Sequence, residues 1–293
     1  MSDQFREFHE ECELETLELA MIEDLNEGDI TTLAIIPPTH RSKGIFRAKS
    51  FGVISGLAVA ERLFSLSALP NHFHSFIKDG EEVESGTIIA EVTGPTDTLL
   101  VCERTSLNVM QRMSGIATKT REFVRAVSHT KAVILDTRKT SPGMRYFDKA
   151  AVRDGGGRNH RFGLYDMILI KDNHVDAAGS VGEAIARAKA YLKKESLEVK
   201  IEVEVRSIPE LKAALISKPD IILIDNFTID ALKEAVEISR EINPKVLLEA
   251  SGGVSLQTVG KIAETGVDFI SVGELTHSVT ALDISMKIIP LAS

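Results

Sequence analysis

Two cysteines, Cys12 and Cys102, are all that the 293 residues contain. They build no disulfide framework and stand in no metal-type spacing, so reduced structural thiols are expected. Long apolar runs are missing too. The longest stretches are a few residues, far short of a membrane-spanning helix. The opening segment, MSDQFREFHEECELE, is acidic and has no apolar signal core, which leads to the expectation of a cytoplasmic protein. Positive charge is in deficit. A net charge of −9 argues against general binding to nucleic acid or to an anionic membrane. No G-x-G-x-x-G follows the first strand pattern of the second half, which weakens a dinucleotide fold.

What is present is ordinary globular material, 43% hydrophobic and 26% charged, enough for one large domain or two modest ones. The charge is unevenly spread. Between Arg138 and His174 stand eight Lys/Arg (138, 139, 145, 149, 153, 158, 161, 171) against four Asp (148, 154, 166, 172), so this window carries +4 and the rest of the chain −13. It opens on DTRKTSPGMR, where a short apolar run gives way at once to cations. A basic island in an acidic chain suits a small polyanion better than a long one. Lys149 and Arg153 read as ordinary helix-face charges.

The second half has a rhythm. Apolar runs recur at 132–137, 167–173, 200–205, 221–226, 245–251 and 268–274. Between most of them lie amphipathic stretches that begin with Ser or Thr, residues suited to cap a helix. Buried Val/Ile/Leu strands alternating with helices indicate a parallel sheet, and with a long helix over about 105–127 they suggest a β/α barrel or an open relative of one. A doubly wound sheet is the alternative. The first part shows strand alternation with glycine turns and a helix in LAVAERLFSLSAL, which suggests a smaller α+β lobe. KDGEEVESGTIIAEV superficially resembles the hairpin of biotin- or lipoyl-carrying domains but lacks their lysine on a nearby turn, and an ordinary hairpin is expected.

Each of the six runs ends in polar residues, on the face where barrels of this kind carry their chemistry. Arg138 and Lys139 follow the first; His160 and Arg161 sit on the GGGRNHR loop, where three glycines permit close approach of a ligand; Lys171 ends the second. These suit two carboxylates, or a phosphate and a carboxylate. In KIEVEV the period of two puts Glu202 and Glu204 on one side, and Asp225 ends the next strand. Such carboxylates suit Mg²⁺ carried on a pyrophosphate, or a developing cation, or simply pairing with nearby bases. SGG (251–253) and SVGE (271–274) follow the last two strands, where this architecture commonly binds phosphate.

These segments, DTRKTSPGMR, AVRDGGGRNHRFGLYDMILIKDNH, EVEV, LIDN, EASGG and SVGELTHS, with NEGDITT and ERTSLNVMQRMSGIAT nearer the start, resemble the decarboxylating quinolinate phosphoribosyltransferases over nearly the whole chain. The resemblance implies an N-terminal α/β sandwich lobe (1–114), an open α/β barrel (115–276), and a C-terminal tail (277–293) packed back on the lobe. It implies phosphoribosyl transfer from 5-phosphoribosyl-1-pyrophosphate to quinolinate with Mg²⁺. It also implies a homodimer, or a higher oligomer built on one, with shared active sites. Thr137, Arg138, Lys139, His160, Arg161 and Lys171 would line the quinolinate pocket, with Arg104 reaching in from the partner. Glu204 and Asp225 would serve the ribose and, indirectly, the metal. Ser251, Gly252, Gly253, Val272, Gly273 and Glu274 would hold phosphate. Of these, Lys139, Lys171, Glu204 and Asp225 are the catalytic candidates. Ser141 stands where the family pattern suggests Thr, and Gly253 where Asn is frequent. Three rivals remain: relatives from molybdenum-transport operons with another nucleobase-like substrate, a Schiff-base aldolase using Lys171, and a non-catalytic anion binder.

Overall fold

A computed structural model describes residues 3–67 and 69–291, with side chains from residue 9 onward. The chain divides into two units. One comprises 1–121, 140–156 and 275–293; the other comprises 122–139 and 157–274. Segment 140–156 thus joins the first unit, although in sequence it lies between two strands of the second.

The first unit contains α1 (Asp3–Leu25), α2 (Ile30–Ile35), β1 (Arg41–Ala48), β2 (Gly52–Val53), α3 (Leu57–Ser65), β3 (His72–Ser75), β4 (Glu82–Val83), β5 (Ile88–Pro95) and most of α4 (Thr96–Ala126). Helix α5 (Arg145–Asp154) and β12 (Ile284–Pro290) belong to it as well. Its sheet runs β12-β1-β5-β3, with β1 antiparallel to both neighbours. Inward positions of β1 alternate with outward ones, as expected of a sheet with one solvated face. Phe46, Phe64 and Phe73 meet there, with centroids 5.8 to 6.2 Å apart. Rings of this size give the core much of its buried apolar area, and such pairs add ~1 kcal/mol beyond it. The hairpin expected over KDGEEVESGTIIAEV does not form. Strand β4 pairs instead with β2, and β5 pairs with β1 and β3. Gly86, at φ +94°, turns the chain between them, and its N–H is taken by Ala48 O.

The second unit carries β6 (Val133–Leu135), β7 (Ile168–Ile170), α6 (Asp172–Ala178), α7 (Val181–Glu195), β8 (Ile201–Val205) and α8 (Ile208–Ser217). There follow β9 (Ile221–Asp225), α9 (Ile229–Ile242), β10 (Leu247–Ser251), α10 (Val259–Ala263), β11 (Phe269–Ser271) and the short α11 (Glu274–His277), most of which lies in the first unit. The six strands form one parallel sheet in the order β6-β11-β10-β9-β8-β7, an open barrel whose edge strands are β6 and β7. All six fall inside the apolar runs read from the sequence. Val203, Val205, Ile222, Ile224, Leu248 and Ile270 are completely buried, each worth roughly 1.5–3 kcal/mol of transfer free energy. Ser180, Ser207 and Thr228 cap α7, α8 and α9 by accepting N–H groups three residues on. The helix expected from Ser255 is shorter. Ser255 and Thr258 bond each other's side chains and backbone, which locks a turn, and α10 starts only at Val259.

Both cysteines are free thiols. Cys102 is buried, and that burial pushes its pKa up to about 12. Among the described residues no helix is long and apolar enough to cross a membrane.

Candidate functional site

Every candidate residue named from the sequence except Arg104 lies in the second unit. Arg104 is exposed on α4, in the first unit. The rest cluster at strand ends for a topological reason: in a parallel sheet all C-terminal ends point the same way, so six separate sequence segments contribute to one rim.

At the end of β6, Asp136 is fully buried and organises the neighbouring loop. Its carboxylate accepts the main-chain N–H of His160 (2.9 Å) and the side-chain amide of Asn159 (2.5 Å). Arg158 continues the sheet beside Leu135, its N–H donating to Ile134 O and its carbonyl accepting from Asp136 N–H. Thr137 Oγ1 accepts the Lys139 N–H (3.1 Å), which turns the chain so that Lys139 stands exposed. Arg138 is half-buried, and its Nε is buried without a hydrogen-bond partner among the described residues. Arg161 is half-buried too, with one amino group 3.4 Å from Met167 O. Burial first, then the like charge of Arg138, hold the Arg161 guanidinium pKa below its usual value. Two guanidiniums that repel each other, one with an orphaned N–H, are arranged for an anion.

Lys171, at the end of β7, ion-pairs with Glu204 on β8. The lysine is about half exposed and the carboxylate nearly buried. Asp225, ending β9, is half-buried and accepts the Asn226 side-chain amide (2.7 Å). Asn226 itself adopts φ +57° and donates its N–H to Ser251 O (2.9 Å). Gly252 follows at φ +94°, and a Cβ there would lie 2.1 Å from Asn226 Oδ1. Only glycine fits this corner. Gly253, at φ +58°, faces open space instead. Val272 is buried and donates its N–H to Leu135 O, while Gly273 and Glu274 stay partly exposed.

The GGG loop is not what its composition suggested. A Cβ at Gly155 would lie 2.5 Å from Thr120 Cβ and 2.6 Å from Ala117 O on α4. This glycine serves close packing against a helix, and Gly156 (φ +93°) serves the turn. His174, the second histidine of the basic island, accepts the Lys171 N–H at Nδ1 (2.9 Å) and so steadies the start of α6.

One group of residues escaped the sequence reading. His160 Nε2 lies 2.9 Å from Glu202 Oε2 and 3.5 Å from Glu249 Oε2. Both glutamates are fully buried inside the sheet, and none of their four oxygens has a hydrogen bond of good geometry among the described residues. Donor atoms of the three residues all lie within 4.8 Å of one another. Glu202 was read in KIEVEV together with Glu204, as a carboxylate for Mg²⁺, for a developing cation or for pairing with nearby bases, and Glu249 fell only within a polar strand end. The available signal was a carboxylate inside each of two apolar runs, which requires a partner. Burial first, then the charge of Glu249, push the Glu202 pKa up to about 7. Burial pulls His160 down, but the two carboxylates outweigh it and raise it to about 10. That value conflicts with a hydrogen bond. His160 Nδ1 accepts the Arg161 N–H at 2.7 Å, and an imidazolium has no lone pair to accept it. The main-chain bond fits a ring that carries its proton on Nε2, facing the two carboxylates.

An open parallel barrel with cations, carboxylates and glycine corners on one rim defines an α/β protein built to hold a small polyanion. Similarity to known proteins narrows the class. Residues 29–114 match the N-terminal domain, and 116–287 the C-terminal domain, of quinolinate phosphoribosyl transferase. A tobacco (Nicotiana tabacum) protein named quinolinate phosphoribosyltransferase (decarboxylating) 2b, mitochondrial, is 45% identical over 290 residues, 94% of this chain and 81% of that one. A Bacillus subtilis protein named probable nicotinate-nucleotide pyrophosphorylase is 43% identical, over 91% and 90% of the two chains. The crystal structure of NadC from Streptococcus pyogenes matches with a TM-score of 0.89 and 39% identity, over 95% and 96%. The chain belongs to the quinolinate phosphoribosyltransferase family.

Proposed function

We propose that this chain joins quinolinate to the phosphoribosyl group of 5-phosphoribosyl-1-pyrophosphate, releasing nicotinate mononucleotide, pyrophosphate and CO₂. The observation that carries this reading, beside family membership, is the Arg138–Arg161 pair, with its mutual repulsion and the unpartnered Arg138 Nε. A dicarboxylate satisfies both.

The chemistry follows from charge. As pyrophosphate departs, the ribose carbon becomes oxocarbenium-like, and the carboxylates of Glu204 and Asp225 stabilise it. The pyridine nitrogen attacks. The ring, now cationic, takes up the electron pair released when the carboxyl group beside the nitrogen leaves as CO₂, and the ring carbon then takes a proton. Arg138, Lys139, Arg161 and Lys171 hold the two carboxylates unequally, so that one leaves and one stays. Thr137 fixes the Lys139 turn. Ser251, Gly252 and Gly253, with Val272, Gly273 and Glu274, take the phosphates. Positioning alone can contribute roughly 7–11 kcal/mol in favourable cases.

Mg²⁺ is part of the proposal. Glu204 is engaged by Lys171 and Asp225 by Asn226, so these residues fit a hard cation met through water better than one ligated directly. Glu204 and Asp225 would meet the water shell of such a cation, whose charge would neutralise the leaving group.

We assign a homodimer with shared sites. It is supported by Leu19, Ile22, Ile30, Leu33 and Ile35, five large apolar side chains 61–82% exposed on α1 and α2, and by the exposure of Arg104. Sedimentation tests it. A cytoplasmic location stays within the reading; the tobacco relative is named mitochondrial, and cell fractionation decides.

The rivals fit less well. Lys171 is half exposed and faces a carboxylate, whereas a Schiff-base lysine wants a dry pocket or a neighbouring cation. The deciding experiment incubates the protein with quinolinate, phosphoribosyl pyrophosphate and Mg²⁺, and follows CO₂ and nicotinate mononucleotide together. Matched amounts support the reading. Quinolinate binding without product overturns it in favour of another acceptor or a plain anion binder.

A further inference from the structure

We infer that Arg112 and Asp148 are a positioning pair: within the first unit their ion pair ties the segment that follows the quinolinate residues to the segment that follows the phosphate residues, and so sets both substrate sites together. This rests on the reaction read above.

The chain passes from the second unit to the first at 139–140 and again at 274–275. Lys139 stands just before the first passage and Glu274 just before the second, so 140–156 and 275–293 begin where two groups of rim residues end. Inside the first unit both segments meet one guanidinium. Asp148, fully buried on α5, accepts Arg112 Nε and one Arg112 amino group, each at 2.8 Å. The same carboxylate takes the main-chain N–H of Ser141, two residues past Lys139. The same amino group of Arg112 donates to the carbonyl of Thr276 (3.3 Å), two residues past Glu274. Adjacent contacts hold the same stretches. Arg145 Nε donates to Thr140 Oγ1 (3.1 Å). On α4, Gln111 donates its side-chain amide to Ile284 O (2.7 Å) and Lys119 Nζ donates to Ser278 O (3.3 Å). A Cβ at Gly115 would lie 2.2 Å from Thr280 O, so the tail runs directly against the helix.

Stability does not account for this pair. Burial raises the Asp148 pKa against the opposing pull of the Arg112 fork, the Ser141 N–H and the charge of Arg145. A carboxylate held where burial opposes its charge contributes little to folding, and apolar side chains of similar volume would join α4 to α5 as well or better. They would lack direction. Two parallel charge-assisted hydrogen bonds fix both distance and angle. Chemistry that depends on placing two substrates against each other needs that precision, since a shift of about 1 Å can cost about a hundredfold in rate.

The test separates position from stability. Arg112→Met strands a buried carboxylate and should lower the melting temperature as well as activity. Adding Asp148→Leu removes the stranded charge and should restore most of the melting temperature. KM for quinolinate and KM for phosphoribosyl pyrophosphate should both stay raised, by about tenfold each, because leucine accepts neither the fork nor the Ser141 N–H. Arg112→Lys keeps the charge and the fold but cannot offer two parallel bonds. It should raise both constants by a smaller factor, about threefold, at a nearly unchanged melting temperature. If the double variant fails to fold, the lysine variant decides alone. The proposal is overturned by a double variant that regains native KM values along with its melting temperature, by a lysine variant with native KM values, or by a change confined to one substrate. Absence of turnover in the unmutated protein would strike the reaction assignment instead. Calorimetric titration with quinolinate and with phosphoribosyl pyrophosphate and Mg²⁺ would then still decide whether Arg112→Lys weakens both.

Discussion

The two ends of the second unit's strands handle buried charge in opposite ways. At the N-terminal ends, Asp268 accepts Lys131 Nζ (2.9 Å), an Arg240 amino group (2.6 Å) and the Leu248 N–H (2.9 Å). Asp220 there accepts the Ile201 N–H and returns its own N–H to the Ile201 carbonyl. Inside the sheet and at the C-terminal ends the tally does not close. Among the described residues Glu202 and Glu249 keep four oxygens without a hydrogen bond of good geometry, although His160 Nε2 stands 2.9 and 3.5 Å from them, Arg138 keeps its Nε, and the like charges of Arg138 and Arg161 oppose each other. Native chains rarely leave such groups unmatched, because each costs roughly 1–3 kcal/mol. One end is satisfied by its own chain and contributes stability; the other, under the function proposed above, is left open at Arg138 and Arg161 for a ligand.

Breaking the unsatisfied end should produce the largest effect on activity. Arg138→Ala removes the guanidinium with the orphaned N–H. Steady-state kinetics should show a loss of about a hundredfold or more in kcat/KM for quinolinate, the scale of one lost charge-stabilising donor. Thermal melting should show no loss of stability, since the repulsion on Arg161 goes with it. A melting temperature that falls along with activity would mean that Arg138 is structural, and the contrast between the two ends would fail.

Breaking the satisfied end should do the reverse. Asp268→Ala removes an acceptor of three hydrogen bonds and should cost ~2 kcal/mol, measured by denaturant unfolding, while activity per folded molecule stays unchanged. Its pH dependence has a definite sign. Burial opposes ionisation of Asp268, but Lys131, the Leu248 N–H and Arg240 outweigh it and hold the pKa below the usual carboxylate value. A depressed folded pKa gives stabilisation that is fully present above the unfolded value, about 3.9, and is lost as pH falls through the folded one. The variant should therefore lose its stability deficit in that acid range.

Gly252 sharpens the comparison from the rim. Gly252→Ala sets a Cβ 2.1 Å from Asn226 Oδ1 at φ +94°. The strain should cost ~1–3 kcal/mol and raise KM for phosphoribosyl pyrophosphate more than KM for quinolinate. The neighbouring Gly253→Ala meets nothing within 4 Å, and only its positive φ of 58° opposes it. The difference between the two variants isolates the role of the Asn226 corner.

How much of this was legible follows the range of the interactions. All six strands were readable, because a parallel strand buried on both faces is a continuous apolar run whatever its neighbours. The caps at Ser180, Ser207 and Thr228 were readable, because a cap and its N–H lie three residues apart. Ser255 has the same composition and forms a turn instead, because Thr258 offers its hydroxyl a closer partner. The basic island was legible as composition. The glutamate pair was not: Glu202 and Glu249 are 47 positions apart and meet only when β8, β9 and β10 take their register. Gly155 was misread for a similar reason, since the helix it must admit lies more than 30 residues earlier. Sequence reports what a residue is; a buried trio depends on what folds opposite.

The smallest expected effect tests whether the satisfied end is uniform. Asp268 has two cationic partners, but Lys131 is 62% exposed and Arg240 only 29%. An exposed ammonium is screened by water and salt and must give up side-chain freedom to hold its pair, so Lys131→Ala should cost no more than ~0.5 kcal/mol. Arg240 also donates to the Val246 carbonyl (2.8 Å), so removing it strips a buried main-chain acceptor as well as an ion pair. Arg240→Ala should cost ~1–2 kcal/mol, and added salt should erase the lysine effect while leaving most of the arginine effect. Equal costs, or equal salt sensitivity, would mean that Asp268 is held by net charge alone. The N-terminal ends would then be no better matched, in hydrogen bonds, than the rim at the C-terminal ends.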